Sequence, residues 1–267
     1  MDMKRKMALI MLAGLLLLAG CGGRSERDLD LSGFFSQQGV VGSFLLYDES
    51  QDEYLRYCQD QCKERYIPAS TFKLLNAQIA LETGVIANEN EIIPWDGTNW
   101  GISSWNQDQN LRTAMEGSVV WFYLELARRI GPERMQHYVD LVGYGNRDLS
   151  GLTEDFWLEG NLRISPQEQI DFLKRLYHEQ LPFSSPTMET VKDIIVLDER
   201  PTYRLSGKTG WASAVDPDVG WFVGYVERSG GVYYFATVVN QEGSRQSLGK
   251  ISQSITMAIL ESLGIVE

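Results

Sequence analysis

The spacing of apolar residues changes along the chain. Residues 40–47 (VVGSFLLY) are apolar and β-prone, a polar turn follows, and residues 54–57 resume the pattern. Two such runs around a turn predict a hairpin. Through the middle of the chain the spacing becomes three to four, the helical period. Helices are predicted over 70–83, ending at Gly84, over 118–130, closed by Gly131, and over 132–142, with Pro132 in first position. Ser165-Pro166-Gln167-Glu168 is a capping box that opens a further helix to about residue 180. Residues 203–208, 221–227 and 232–239 read as three strands joined by Gly-rich turns, and 251–263 as a last amphipathic helix. Strands at both ends and helices between them predict an α/β (α+β) fold. Its antiparallel sheet is built from N- and C-terminal segments flanked by helices, with an inserted helical region.

The first residues stand apart. Lys4, Arg5 and Lys6 precede an apolar run from 7 to 19, too short to span a bilayer. This reads as a secretory signal. Leu18-Ala19-Gly20-Cys21 resembles the bacterial lipobox, in which the cysteine is lipidated; the plainer reading is a signal peptide with a chance cysteine. The expected organisation is a lipoprotein signal peptide over 1–20, a polar tether over 21–31 and one domain over 32–267. An exported lipoprotein would face the periplasm on a membrane. Gly22 after Cys21 resembles the outer-membrane sorting pattern of a Gram-negative host; the alternative is the outer face of the plasma membrane. In an oxidising compartment Cys58 and Cys62 are a disulfide candidate, with two free or buried thiols as the alternative.

Composition narrows the function. A net charge of −12 argues against nucleic acid, which is held by phosphate-neutralising cations. With 43% hydrophobic and 11% aromatic residues the chain is not a disordered one. Only two histidines, His137 and His178, leave few groups for a multi-His metal centre or a Ser-His-Asp triad.

The remaining chemistry lies in four elements. Ser70-Thr71-Phe72-Lys73 opens the first long helix and puts an amine and a hydroxyl on one face. Alone it equally describes an N-cap serine with a surface lysine. Ser118-Val119-Val120 places a second hydroxyl at a helix start, Tyr144-Gly145-Asn146 sits in a turn, and Lys208-Thr209-Gly210 ends a strand. Order and spacing together follow the logic of penicillin-recognising serine enzymes.

With these variants the set resembles the class D β-lactamases, the oxacillinase family, over nearly all of the chain after about residue 32. Trp105-Asn106, Phe156-Trp157-Leu158 and Gly220-Trp221-Phe222-Val223-Gly224 resemble its connecting segments. The resemblance implies that Ser70 is the acylated nucleophile and that Lys73, N-carboxylated by carbon dioxide, is the general base. Trp157 would donate to the carbamate, though a core tryptophan is the simpler reading of that residue. Phe72, Val120, Trp157 and Leu158 would give Lys73 an apolar shell. Ser118 would relay a proton, the N–H groups of Ser70 and Trp211 would form the oxyanion hole, and Lys208, Thr209 and Gly210 would hold the substrate carboxylate. Trp105 would border the pocket. No metal or organic cofactor is implied beyond carbon dioxide or bicarbonate, and the partners are β-lactams and the membrane.

One position departs from the family. Many members carry an arginine shortly before the C-terminal helix that grips the substrate carboxylate, and counting back from Ile265-Val266 puts Ser252 near that position here. The nearest basic residues are Arg245 and Lys250. Arg245 is expected to assist Lys208, unless both are solvated loop charges. Rival readings are a β-lactam sensor domain that acylates without turnover, a cell-wall peptidase and a structural lipoprotein.

Overall fold

A computed structural model describes residues 25–150, 154–244 and 246–267. The expected signal segment, Cys21 and Arg245 lie outside them. The strands are β1 (Ser25–Asp28), β2 (Val41–Asp48), β3 (Glu53–Tyr57), β4 (Val196–Glu199), β5 (Arg204–Ala212), β6 (Asp218–Arg228) and β7 (Gly231–Gln241). They form one sheet in the order β1-β3-β2-β7-β6-β5-β4. Only the β1–β3 pair is parallel. The two ends of the chain meet at β2 and β7, in register from Val41↔Asn240 to Asp48↔Tyr233.

The period of two decides what lies on each face. On β2, Phe44 and Leu46 join the core under α1 (Ser32–Gln37) and α9 (Leu248–Ser262), with Phe235 and Val239 of β7 and Ile255 and Ile259 of α9. Leu45 and Tyr47 face the other way, into the core shared with the helices inserted between β3 and β4. These are α2 (Gln59–Lys63), α3 (Lys73–Glu82), α4 (Leu111–Glu116), α5 (Val120–Ile130), α6 (Pro132–Val142), α7 (Pro166–Tyr177) and α8 (Ser185–Ile194). The capping box forms: Ser165 Oγ accepts from the Glu168 N–H at 3.2 Å, and Glu168 accepts from the Ser165 N–H at 2.9 Å.

Three expectations are corrected. The sheet begins inside the stretch read as a tether, because Ser25–Asp28 pairs with β3 and Arg56 Nε donates to Asp28 at 2.6 Å. All four residues of β1 are exposed, so no apolar pattern marks it. The second long helix starts at Val120, with Ser118 outside it at φ +51°. Cys58 and Cys62 are free thiols. Cys58 is exposed, whereas Cys62 Sγ turns under the sheet toward the carbonyls of Tyr57 (3.5 Å) and Phe44 (3.7 Å), and burial pushes its thiol pKa up to about 12.

Candidate active site

Ser70 lies in a 3₁₀ turn, Ala69–Phe72, that runs directly into α3. The turn is entered through Ala69 at φ +48°, a region costly for a residue with a Cβ. Its surroundings hold it there. The Ala69 N–H donates to Trp157 O at 2.9 Å, and Thr71 Oγ1 donates to Pro68 O at 2.7 Å. Thr71 Oγ1 in turn accepts from Gln169 Nε2 at 2.8 Å. Strand β5 closes the other side: a Cβ on Gly210 would lie 3.2 Å from Pro68 O and 3.3 Å from Ser70 N. Glycine there lets the strand carrying Lys208 and Trp211 lie against the Ser70 backbone.

One turn beyond Ser70, Lys73 is fully buried. Its Nζ donates to Ser118 O at 2.6 Å and to Ser118 Oγ at 3.1 Å, and lies 5.1 Å from the Tyr123 ring centroid. Lys208 Nζ donates to the same Ser118 Oγ at 3.0 Å. Burial first, and then the neighbouring Lys208 charge, hold the Lys73 pKa well below the ordinary lysine value. Burial lowers that of Lys208 to about 8. A neutral Lys73 that spends both N–H groups on Ser118 keeps its lone pair free. Ser118 Oγ, accepting from two amines, keeps its own hydrogen to donate into the cleft.

Trp157 is fully buried and stacks on Phe72 at 5.5 Å between centroids, yet its Nε1–H finds no hydrogen-bond partner among the described residues. An unmet buried donor is costly, and marks a place where an acceptor belongs. Val120 is half-buried, and Leu158 packs against the same core. Tyr144-Gly145-Asn146 holds the returning chain. Gly145, at φ +55°, lies so close to Arg163 that a Cβ would stand 2.0 Å from its carbonyl oxygen, and Asn146 Oδ1 accepts from the Arg163 N–H at 2.9 Å. Arg163 leads into Ile164, whose N–H donates to Tyr66 O at 2.8 Å, just ahead of the Ser70 turn.

The structure thus brings Ser70, Lys73, Ser118, Lys208 and Gly210 together from three separate segments. Trp105 borders them from outside, its Nε1 donating to Gly117 O at 3.0 Å. The Trp211 side chain packs into the core on the α9 face, which leaves its backbone for the cleft. Ser252 is buried within α9 and donates to Gly249 O at 2.9 Å. Gln169 was not anticipated; its only signal is a polar residue on the buried face of α7.

Residues 42–261 match the family described as the penicillin binding protein transpeptidase domain. The chain is 39% identical over 262 residues to the probable β-lactamase YbxI of Bacillus subtilis, covering 94% of this chain and 96% of that protein. It is also 39% identical to the regulatory protein BlaR1 of Bacillus licheniformis, covering 88% of this chain but only 39% of that longer protein. Among solved structures, a class D β-lactamase YbxI from Nostoc superposes with a TM-score of 0.85 at 43% identity, covering 89% of this chain and all of that one.

Proposed function

The chain belongs to the class D β-lactamase family, and on that premise we propose that it hydrolyses the β-lactam amide of penicillin-type antibiotics through an acyl-enzyme on Ser70. An activity of this kind gives its host β-lactam resistance. The observation that carries the reading is the buried, low-pKa Lys73 amine one turn after Ser70, held on Ser118, together with a buried Trp157 N–H that has no partner among the described residues. An ordinary lysine, with a pKa near 10.4, is a poor base at neutral pH. Carboxylated by carbon dioxide, which reacts only with the neutral amine, Lys73 supplies an anionic general base, and the Trp157 N–H is the donor such a group needs.

The protein's own groups then divide the work. Lys73 takes the hydroxyl proton of Ser70 as Ser70 attacks the carbonyl, the N–H groups of Ser70 and Trp211 receive the developing oxyanion, and the proton taken by Lys73 replaces the one that Ser118 gives up. Ser118 passes its proton to the departing lactam nitrogen, and Lys208 and Thr209 hold the substrate carboxylate. Water, deprotonated at Lys73, releases the product from Ser70. Steady turnover of a chromogenic cephalosporin, lost in Ser70→Ala, tests this. The identity to BlaR1 favours the rival reading of a sensor that acylates without turnover. A burst of one equivalent with no steady state would establish that reading instead.

The same proposal extends to anchoring. With residues 1–20 as a lipoprotein signal, Cys21 carries the lipid and the domain faces the periplasm or the cell exterior. Few residues then separate the lipid from β1. Cys21→Ala should release active protein from the membrane fraction; an unmodified N-terminus in the unaltered protein would refute the anchor.

A further inference from the structure

The cleft continues past Lys208. Toward the start of β5 a crevice of about 260 Å³ runs between the turn that precedes Ser118 and strand β4. Lys208 and Thr209 are part of its lining. Met115, Ile195, Val196 and Leu197 make its walls apolar, and Glu116 and Gln253 are its other polar side chains.

Glu116 is out of place by the rules of helices. It is the last residue of α4, where a carboxylate opposes the negative end of the helix dipole. It is exposed, and no cation among the described residues pairs with it. Across the crevice Leu197 leaves an apolar side chain 47% exposed on the strand. A local rule broken without a local partner is a mark of function.

The connectivity of the substrate says what would enter. In a bicyclic β-lactam the lactam nitrogen is bonded to the carbon bearing the carboxylate. In a cephalosporin the next ring carbon carries a second substituent. Ser70 N lies beside Gly210, and Lys208 and Thr209 come next along β5. A carbonyl at Ser70 and a carboxylate at Lys208 and Thr209 therefore direct that substituent past Thr209, into the crevice. We propose that the crevice is the subsite for the substituent next to the substrate carboxylate, and that Glu116 makes it select cationic ones. The inference rests on the β-lactamase reading above. Lys208 Nζ donates to Ser118 Oγ and Thr209 O, and its charge would be offset by the substrate carboxylate it holds, which leaves Glu116 to act on the substituent beyond.

The test compares two cephalosporins that differ only in this substituent, a pyridiniomethyl and an acetoxymethyl group, with a penicillin, whose corresponding ring carbon carries only two uncharged methyl groups. Values of kcat/KM are measured for the unaltered protein, Glu116→Gln and Glu116→Lys. Comparing the pyridinium-to-acetoxy ratio between variants cancels the different reactivities of the two leaving groups. The ratio should fall about 2- to 5-fold in Glu116→Gln, the range of an exposed ion pair, and further in Glu116→Lys, while penicillin turnover stays constant. Added salt should shrink the effect. The thermal midpoint of Glu116→Gln should not fall, because the change removes an opposed charge. An unchanged ratio with intact penicillin turnover would overturn the subsite. No turnover of any of the three substrates by the unaltered protein would overturn the β-lactamase reading, and the subsite with it.

Discussion

Lys73 and Lys208 meet on a single oxygen, Ser118 Oγ, at 3.1 Å and 3.0 Å. Two ammonium groups in one buried pocket cannot both stay charged cheaply. Burial and the Lys208 charge hold the Lys73 pKa well below the ordinary lysine value, and burial lowers that of Lys208 to about 8.

The first prediction concerns the carbamate. Activity should fall at acidic pH and partly return with bicarbonate, since protonation favours loss of carbon dioxide and a protonated amine cannot recapture it. Trp157→Phe keeps the stack on Phe72 but removes the donor. A hydrogen bond to a charged group is worth about 1.5–3 kcal/mol. Deacylation should therefore slow roughly 10- to 100-fold at ambient carbon dioxide, with larger bicarbonate rescue than in the unaltered protein. Stopped-flow acylation with steady-state turnover separates the steps.

A second prediction follows from Lys208, with its pKa lowered to about 8. Below that pH it is cationic and attracts the substrate carboxylate; above it the amine is neutral and the attraction is lost. For a penicillin, kcat/KM should decline as pH rises through about 8. In Lys208→Arg this limb should vanish, because a guanidinium stays protonated. Lys208→Ala should lower kcat/KM far more than Arg245→Ala, where only a modest rise in KM is expected.

Gln169 and Thr71 supply a third. Replacing Gln169 by Met removes the donor to Thr71 Oγ1 while preserving volume. The cost should be about 1 kcal/mol in stability, with acylation slowed several-fold because the Ser70 turn loosens. Thr71→Val breaks the same chain, so the double variant should cost less than the two changes added together. Denaturant unfolding and single-turnover acylation measure both effects.

Gly145→Ala provides the fourth. A left-handed φ alone costs a residue with a Cβ roughly 1–2 kcal/mol, and the 2.0 Å approach to Arg163 O forces the backbone to shift. The unfolding midpoint should drop, and the strain should reach Ile164 and the Ser70 turn, lowering turnover. A midpoint equal to that of the unaltered protein would show that the segment moves freely.

Much of this was legible in the residue pattern, because local rules carry it. The alternation of Phe44, Leu45, Leu46 and Tyr47 announces a strand with both faces buried. The reciprocal bonds of Ser165 and Glu168 need only three residues of spacing, and Ser70 and Lys73 share a helical face whatever the rest of the chain does. Where a feature depends on segments distant in sequence, the pattern is silent. β1 has no apolar face of its own and exists through its pairing with β3. The thiols of Cys58 and Cys62 are set apart because one is exposed and the other turns toward carbonyls under the sheet. Ser118 reads as the start of a helix, yet stands outside it at φ +51°, where its carbonyl and hydroxyl both reach Lys73. Nothing in the sequence pattern marks Glu116, which lines a crevice only because β4 and α9 are packed beside it. Spacing along the chain determines which groups are available; the low pKa of Lys73 and the partners of Ser118 come only from burial and from neighbours that tertiary packing brings within about 3 Å.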